Sequence, residues 1–155
     1  MISEKSIFHH LIIVGAIVEK DEKILFVQEK QEKAYGLWNI PAGWLDLNED
    51  VITGAKREFK EETGFDIEID GIVGIYLMPK KSHTGLKVVF SGKITEGELK
   101  VPENELLDVR WLRPEEILSK PDSELRGIRK EIEDYISGKR YPLDLIKTIT
   151  IPEKK

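Results

Sequence analysis

Three carboxylates, Glu58, Glu61 and Glu62, stand at spacing i, i+3, i+4 inside the segment Gly43–Phe65. On a helix they share one face, within about 100° of arc. Like charges so placed repel one another, and only a strong counter-charge makes the arrangement sensible. A hard divalent cation such as Mg²⁺ is the natural candidate, because it prefers carboxylate oxygen. An acid cluster alone is more often a solvated helix face. A calcium-binding EF-hand loop is excluded. Asp46, Asn48 and Asp50 could open one, but Val51 stands where glycine is needed and Arg57 where the closing glutamate belongs.

The elements that must position these acids can be read locally. A helix is expected from about Val51 to Thr63, with Asp50 as N-cap and Gly64 as terminator. Val51, Ala55 and Phe59 repeat at i+4 and mark the buried stripe. The acid stripe lies beside this apolar stripe, so the acids belong at the rim of the core, where a cleft can form. Gly54 costs about 1 kcal/mol in a helix interior relative to alanine, and close packing is the reason suggested here. Arg57 is expected to brace Glu49, anchoring the preceding loop to the helix.

Around that helix, Leu11–Glu19 reads as a buried strand and Ile24–Gln28 as its hairpin partner across the Asp21-Glu22 turn. Gln28–Gly36 reads as a loop, Leu37–Ile40 as a short extended piece, and Ala42–Asn48 as the loop feeding the helix. Phe65–Ile69 and Ile72–Met78 read as two strands broken by an Asp70-Gly71 turn. Leu86–Thr95 and Val109–Leu112 are further strands, and Pro114 opens a short helix. Leu125, Ile128, Ile132 and Ile136 predict an amphipathic helix closing at Gly138. Mixed strands with two or three helices imply an α+β or α/β sandwich in one domain, residues 1–155.

Composition narrows the function classes. Hydrophobic content of 40% with 34% charged residues suits a soluble globular chain. A net charge of −5 argues against binding a nucleic-acid backbone, which needs a basic surface. It leaves small phosphate substrates open, since a bound cation reverses the local field. The chain has no cysteine, so disulfides, thiolate metal sites and cysteine nucleophiles are absent. The apolar stretch Leu11–Val18 is too short to span a bilayer and lacks the flanks of a signal peptide. A cytoplasmic protein without membrane attachment is the expectation.

Gly43–Phe65 resembles the signature of the Nudix (MutT-like) hydrolases. That signature is glycine, five residues, glutamate, seven residues, then Arg-Glu-apolar-any-Glu-Glu-any-Gly-apolar. Here Gly43 precedes Glu49, and Arg57-Glu58-Phe59-Lys60-Glu61-Glu62-Thr63-Gly64-Phe65 follows, so every specified position is filled. Leu37–Gly43 is similar to the stretch before the signature in many members. Glu105, six residues before Trp111, is similar to a later family acid. The Ser137–Ile146 end resembles the Nudix phosphatases acting on hydroxymethylpyrimidine pyrophosphate and on nucleoside di- and triphosphates. Their loop typically reads Pro-Ala-Gly-His-Leu-Glu, whereas this chain has Pro41-Ala42-Gly43-Trp44-Leu45-Asp46.

The resemblance implies a Nudix fold: an α+β (α/β/α) sandwich with a mixed β-sheet flanked by helices. It implies hydrolysis of a phosphoanhydride bond in a small phosphorylated substrate by water activated on Mg²⁺, with Mn²⁺ as the alternative. Glu58 and Glu62 would ligate the metal, joined by the Gly43 carbonyl, Glu61 and Glu105. Glu58, Glu61 and Glu105 would carry the catalysis. Trp44, Tyr76 and Phe8 are candidates to stack a ring, with packing as the competing role. Lys80 and Lys81 are candidates to contact phosphate. His9 and His10 point to opposite faces if extended and make an unlikely joint ligand pair. A noncatalytic nucleotide-binding module is the rival class. Within the enzymes, ADP-ribose, dinucleoside polyphosphates and oxidised nucleotides stay open, as does monomer against homodimer.

Overall fold

The computed structural model describes residues 12–155. Phe8, His9, His10 and the first residue of the expected Leu11–Glu19 strand lie outside that range. Two strands open the fold, β1 (Ile12–Lys20) and β2 (Lys23–Glu29). Their joining turn holds Asp21 and Glu22 at φ 52° and 64°, the left-handed geometry that matches the twist of a two-residue hairpin. Then come β3 (Trp38–Asn39), β4 (Ala42–Trp44) and helix α1 (Val51–Thr63). The remaining elements are β5 (Phe65–Pro79), β6 (Thr84–Gly97), β7 (Leu106–Leu112), α2 (Pro114–Leu118) and α3 (Arg129–Ile136).

The sheet is mixed. Its main path runs β3-β2-β1-β6-β5, with β4 on β1 and β7 on β2. Strands β1 and β6 pair in parallel, Val14 opposite Val88, and the other pairings are antiparallel. Alternation along the strands divides the interior in two. Val14, Ala16 and Val18 join Ala55 and Phe59 of α1, together with Val88 and Phe90. Ile17 faces the other way, into Phe26, Val73, Val89, Ile128 and Ile132 beneath α3. Helices thus cover both faces, as the α+β sandwich requires. Among the described residues, no helix is long and apolar enough to cross a membrane.

Helix α1 has the limits its caps predict. Asp50 accepts from the Thr53 amide at 3.0 Å, and Gly64 closes the helix at φ 85° with its amide on the Lys60 carbonyl. Gly54 has its reason. A Cβ there would lie 2.6 Å from Leu45 Cδ1 and 2.7 Å from Glu49 Oε1. The bare backbone leaves that space to the loop before the helix.

Three expectations fail. Ala42–Trp44, expected within a loop, pairs with β1 as strand β4. The Asp70-Gly71 turn does not exist, and β5 runs through it unbroken. Register shifts between Ile69 and Gly71, and again between Ile72 and Gly74, absorb the irregularity as bulges. Asp70 accepts from Ser91 Oγ at 2.6 Å. Nor does the helix ending at Gly138 begin near Leu125. Gly127 sits at φ 72°, Leu125 makes a bridge to Trp38, and α3 starts only at Arg129. Ile136, expected on the buried stripe, is exposed. Beyond α3 the tail crosses the edge of β5. Ile72 and Tyr141 exchange both backbone hydrogen bonds (2.9 and 2.8 Å), and Leu143 and Ile146 then pack on the α1 side.

Candidate metal and phosphate site

The acid face of α1 opens onto a cleft of about 610 Å³. Gly43 and Trp44 of β4 form one wall, and Asn104 and Glu105 of the loop before β7 form another. The end of β2 supplies Glu29, with Lys30 and Gln31 beyond it. Glu58, Glu61 and Glu62 all line this space. The expected set Gly43, Glu58, Glu61, Glu62 and Glu105 is therefore brought together, with Trp44 beside it.

Two other candidate residues, Tyr76 and Lys80, lie outside this cleft. Tyr76 lies on β5 away from the cleft, where its hydroxyl donates to Asp134 Oδ2 at 2.9 Å and its ring packs on the core beneath α3. Burial and that bond push its phenol pKa up. Lys80 begins the β5–β6 hairpin, its amide bonded to the His83 carbonyl at 2.8 Å, and neither it nor Lys81 lines the cleft.

Arg57 organises the loop, as expected. Its Nε and Nη2 donate to the two oxygens of Glu49 at 2.7 and 2.9 Å, and Nη2 also donates to the Trp44 carbonyl at 3.0 Å. This two-point bond is of the strong, directional kind. It holds the Glu49 carboxyl pKa low and pushes the Arg57 guanidinium up. Nη1 reaches the other way, to Glu58 at 2.9 Å and Glu61 at 3.2 Å.

Electrostatics set Glu62 apart. Its protein contact is a long bond from the Ala42 amide, 3.4 Å. Burial pushes its pKa well above the usual carboxylate range, and the charges of Glu58, Glu29 and Glu105 add to the shift. Burial also raises Glu58, against the pull of Arg57. Kept ionised, Glu62 calls for a counter-cation; otherwise it holds a proton.

The residues present fit a hard divalent ion by their chemistry. The donor set is oxygen throughout, as Mg²⁺ requires. Gly43 leaves the backbone bare where the Glu58 carboxylate lies against it; any Cβ would collide with that carboxylate. Among the described residues no three acidic or histidine side chains already close on one point. Arg57 draws Glu58 and Glu61 toward itself, so the fit rests on donor type and unbalanced charge.

Glu29 is the residue that sequence reasoning missed. It is 6% exposed, lines the cleft, and accepts from Asn39 Nδ2 at 2.9 Å. The signal was present but faint: an acid closing an apolar strand, far from the signature. A register shift at Gln28/Glu29 sets Glu29 opposite Leu106, the neighbour of Glu105.

With this geometry in view, comparison with known proteins is decisive about family. A model of the NUDIX domain matches residues 9–134. Phosphatase NudJ of Escherichia coli K12 is 30% identical over 147 residues, spanning 93% of this chain and 95% of that protein. An ADP-ribose pyrophosphatase of Methanocaldococcus jannaschii is 33% identical over 98 residues. That match spans 62% of this chain and only 58% of the archaeal protein. Among solved structures, a NUDIX hydrolase from Nitrosomonas europaea superposes with a TM-score of 0.81 at 32% identity. It covers 90% of this chain and 97% of its own. The chain belongs to the Nudix family and is a Nudix hydrolase.

Proposed function

We propose that the protein hydrolyses a phosphoanhydride bond in a nucleoside di- or triphosphate, or in a related small pyrophosphate such as hydroxymethylpyrimidine pyrophosphate, with Mg²⁺ as its cation. The observation that carries this reading is Glu62, half-buried beside Glu58, Glu29 and Glu105 on a cleft also lined by Gly43. The similarity to a protein named as a phosphatase, over nearly the whole chain, supports hydrolysis at phosphorus. ADP-ribose is the second reading, favoured by the archaeal relative. A noncatalytic module is disfavoured because every acid of the signature is present.

Glu58, Glu62 and the Gly43 carbonyl would hold the cation, and Glu61 and Glu105 line the same cleft as further candidate ligands. When bound, the cation neutralises phosphate charge, acidifies water and stabilises the leaving group. The protein's own part is orientation and proton transfer. Arg57 fixes the Trp44 carbonyl and Glu49, and so the loop that carries Gly43. Glu105, exposed on the wall of the cleft opposite Gly43, would take the proton from the attacking water. Trp44, exposed at the mouth, offers a ring face to the base or pyrimidine.

The test is a substrate panel in Mg²⁺ and in Mn²⁺, run in ¹⁸O-labelled water with product identification. Label in a phosphate product from a nucleotide or hydroxymethylpyrimidine pyrophosphate is expected, and it also names the phosphorus attacked. Nucleotide binding without turnover across the panel would give the noncatalytic reading instead.

A further inference from the structure

A cleft built of glutamates is a poor place for a polyphosphate unless some fixed cation meets it. Arg57 does not serve, since Glu49, Glu58, Glu61 and the Trp44 carbonyl occupy its guanidinium. Lys80 and Lys81 stand elsewhere, on the β5–β6 hairpin. Among the described residues lining the cleft, Lys30 alone is basic. It follows Glu29 at the end of β2, and its Nζ spans to the Glu103 carbonyl at 2.7 Å.

That contact has an unusual property. Five glutamates line the same cleft, yet among the described residues Lys30 forms no ion pair. A neutral main-chain carbonyl anchors it, which fixes the ammonium without cancelling its charge. An ammonium carries three donors, so two remain for an anion. The anchor sits in the loop that carries Glu105.

We propose that Lys30 is a substrate-binding residue that grips non-bridging oxygens of the phosphate chain on the Glu105 side of the cleft. The proposal rests on the phosphoanhydride-hydrolase reading above. Substrate oxygens meet the ammonium as a point charge on a flexible stem, so any polyphosphate of suitable reach is accepted and the base is not read.

The experiment compares the parent with Lys30→Met and Lys30→Arg. For the best nucleotide of the panel, Lys30→Met is expected to raise KM about tenfold, the loss of one charge-assisted hydrogen bond. Its kcat should stay within about threefold, and Lys30→Arg should recover most of the KM. The KM of the parent should climb more steeply with added NaCl than that of Lys30→Met. A strut that merely holds the Glu105 loop predicts something different. It predicts that Mn²⁺ binding without substrate, followed by electron paramagnetic resonance, weakens along with KM. An unchanged KM in Lys30→Met, or a parallel loss of Mn²⁺ affinity, overturns the proposal. If the parent hydrolyses nothing on the panel, the enzymatic reading fails separately. Calorimetry with methylenebisphosphonate in Mg²⁺ then decides Lys30: binding at least fivefold weaker in Lys30→Met sustains its role, and equal binding ends it.

Discussion

Two carboxylates on opposite faces of the sheet, Glu131 buried and Glu62 half-buried, are treated in opposite ways. Glu131 of α3 meets Lys87 of β6 at 2.7 Å, with both side chains about 5% exposed or less. Glu62 of α1 meets a distant amide and three other acids. The first is a charge matched within the chain, pinning α3 to the sheet. The second is a charge left unmatched. A fold able to pair one buried glutamate leaves the other bare where a cation and a phosphate chain are to be received. Balance marks the structural side of this molecule, and imbalance marks the working side.

Removing one partner on each side is the sharpest way to break that contrast. Glu131→Gln strands Lys87 in the interior and should cost about 3–5 kcal/mol of stability, measured by urea denaturation. Replacing both partners, as Lys87→Met with Glu131→Leu, should restore most of it. Glu62→Gln should do the reverse: turnover falls about a hundred- to a thousandfold, while the melting temperature without metal holds or rises. If Glu62→Gln unfolds the protein as Glu131→Gln does, the two sites do not differ in kind.

Cation and proton should both relieve Glu62. Mg²⁺ at a hundred times its dissociation constant should add about 2.7 kcal/mol to the parent and much less to Glu62→Gln. Without metal, the sign of the pH effect follows from the raised carboxyl pKa of Glu62. A group whose pKa is higher folded than unfolded stabilises the fold below its unfolded pKa. That contribution is lost as pH rises through the folded value. Metal-free stability should therefore fall from the ordinary carboxylate range upward, and Glu62→Gln should flatten the fall. Glu49, with its pKa held low by Arg57, acts in the opposite sense, losing its contribution as pH drops through the folded value. The smallest effect expected is that of Glu29→Gln, which keeps the acceptor for Asn39 but removes a charge. Mn²⁺ affinity should weaken about tenfold, with stability nearly unchanged.

Helix α1 could be read residue by residue because its limits are local: a side-chain cap at Asp50 and a left-handed glycine at Gly64. The shared face of its acids and the Arg57–Glu49 brace could be read within one segment, while the place of Gly43 came from the resemblance to the family signature. Strand β5 could not be read so, because its bulges exist only in the ladder with β6. Taken alone, Asp70-Gly71 is a turn. The same distance from local cause explains Tyr76 and Lys80. Each has suitable chemistry, but the sheet puts Tyr76 against α3 and Lys80 at a hairpin tip. Glu29 and Lys30 were hidden for the complementary reason, since they enter the cleft only through the pairing of β2 with β7.

The parallel pairing of β1 with β6 also bears on how the molecule is made. Ile12 lies beside Leu86, so the platform under α1 cannot close until a long stretch of chain has been gathered in. Loop-closure entropy and non-local contacts make such steps slow. Helix α1 and the β1–β2 hairpin need no such wait. During synthesis the glutamates of α1 emerge before β6 and before the Glu105 loop, and they stay in water, where their repulsion is screened. The cost of drawing Glu62 partly out of water thus belongs to the step in which these sequence-distant walls meet, the same step that creates a place for a cation.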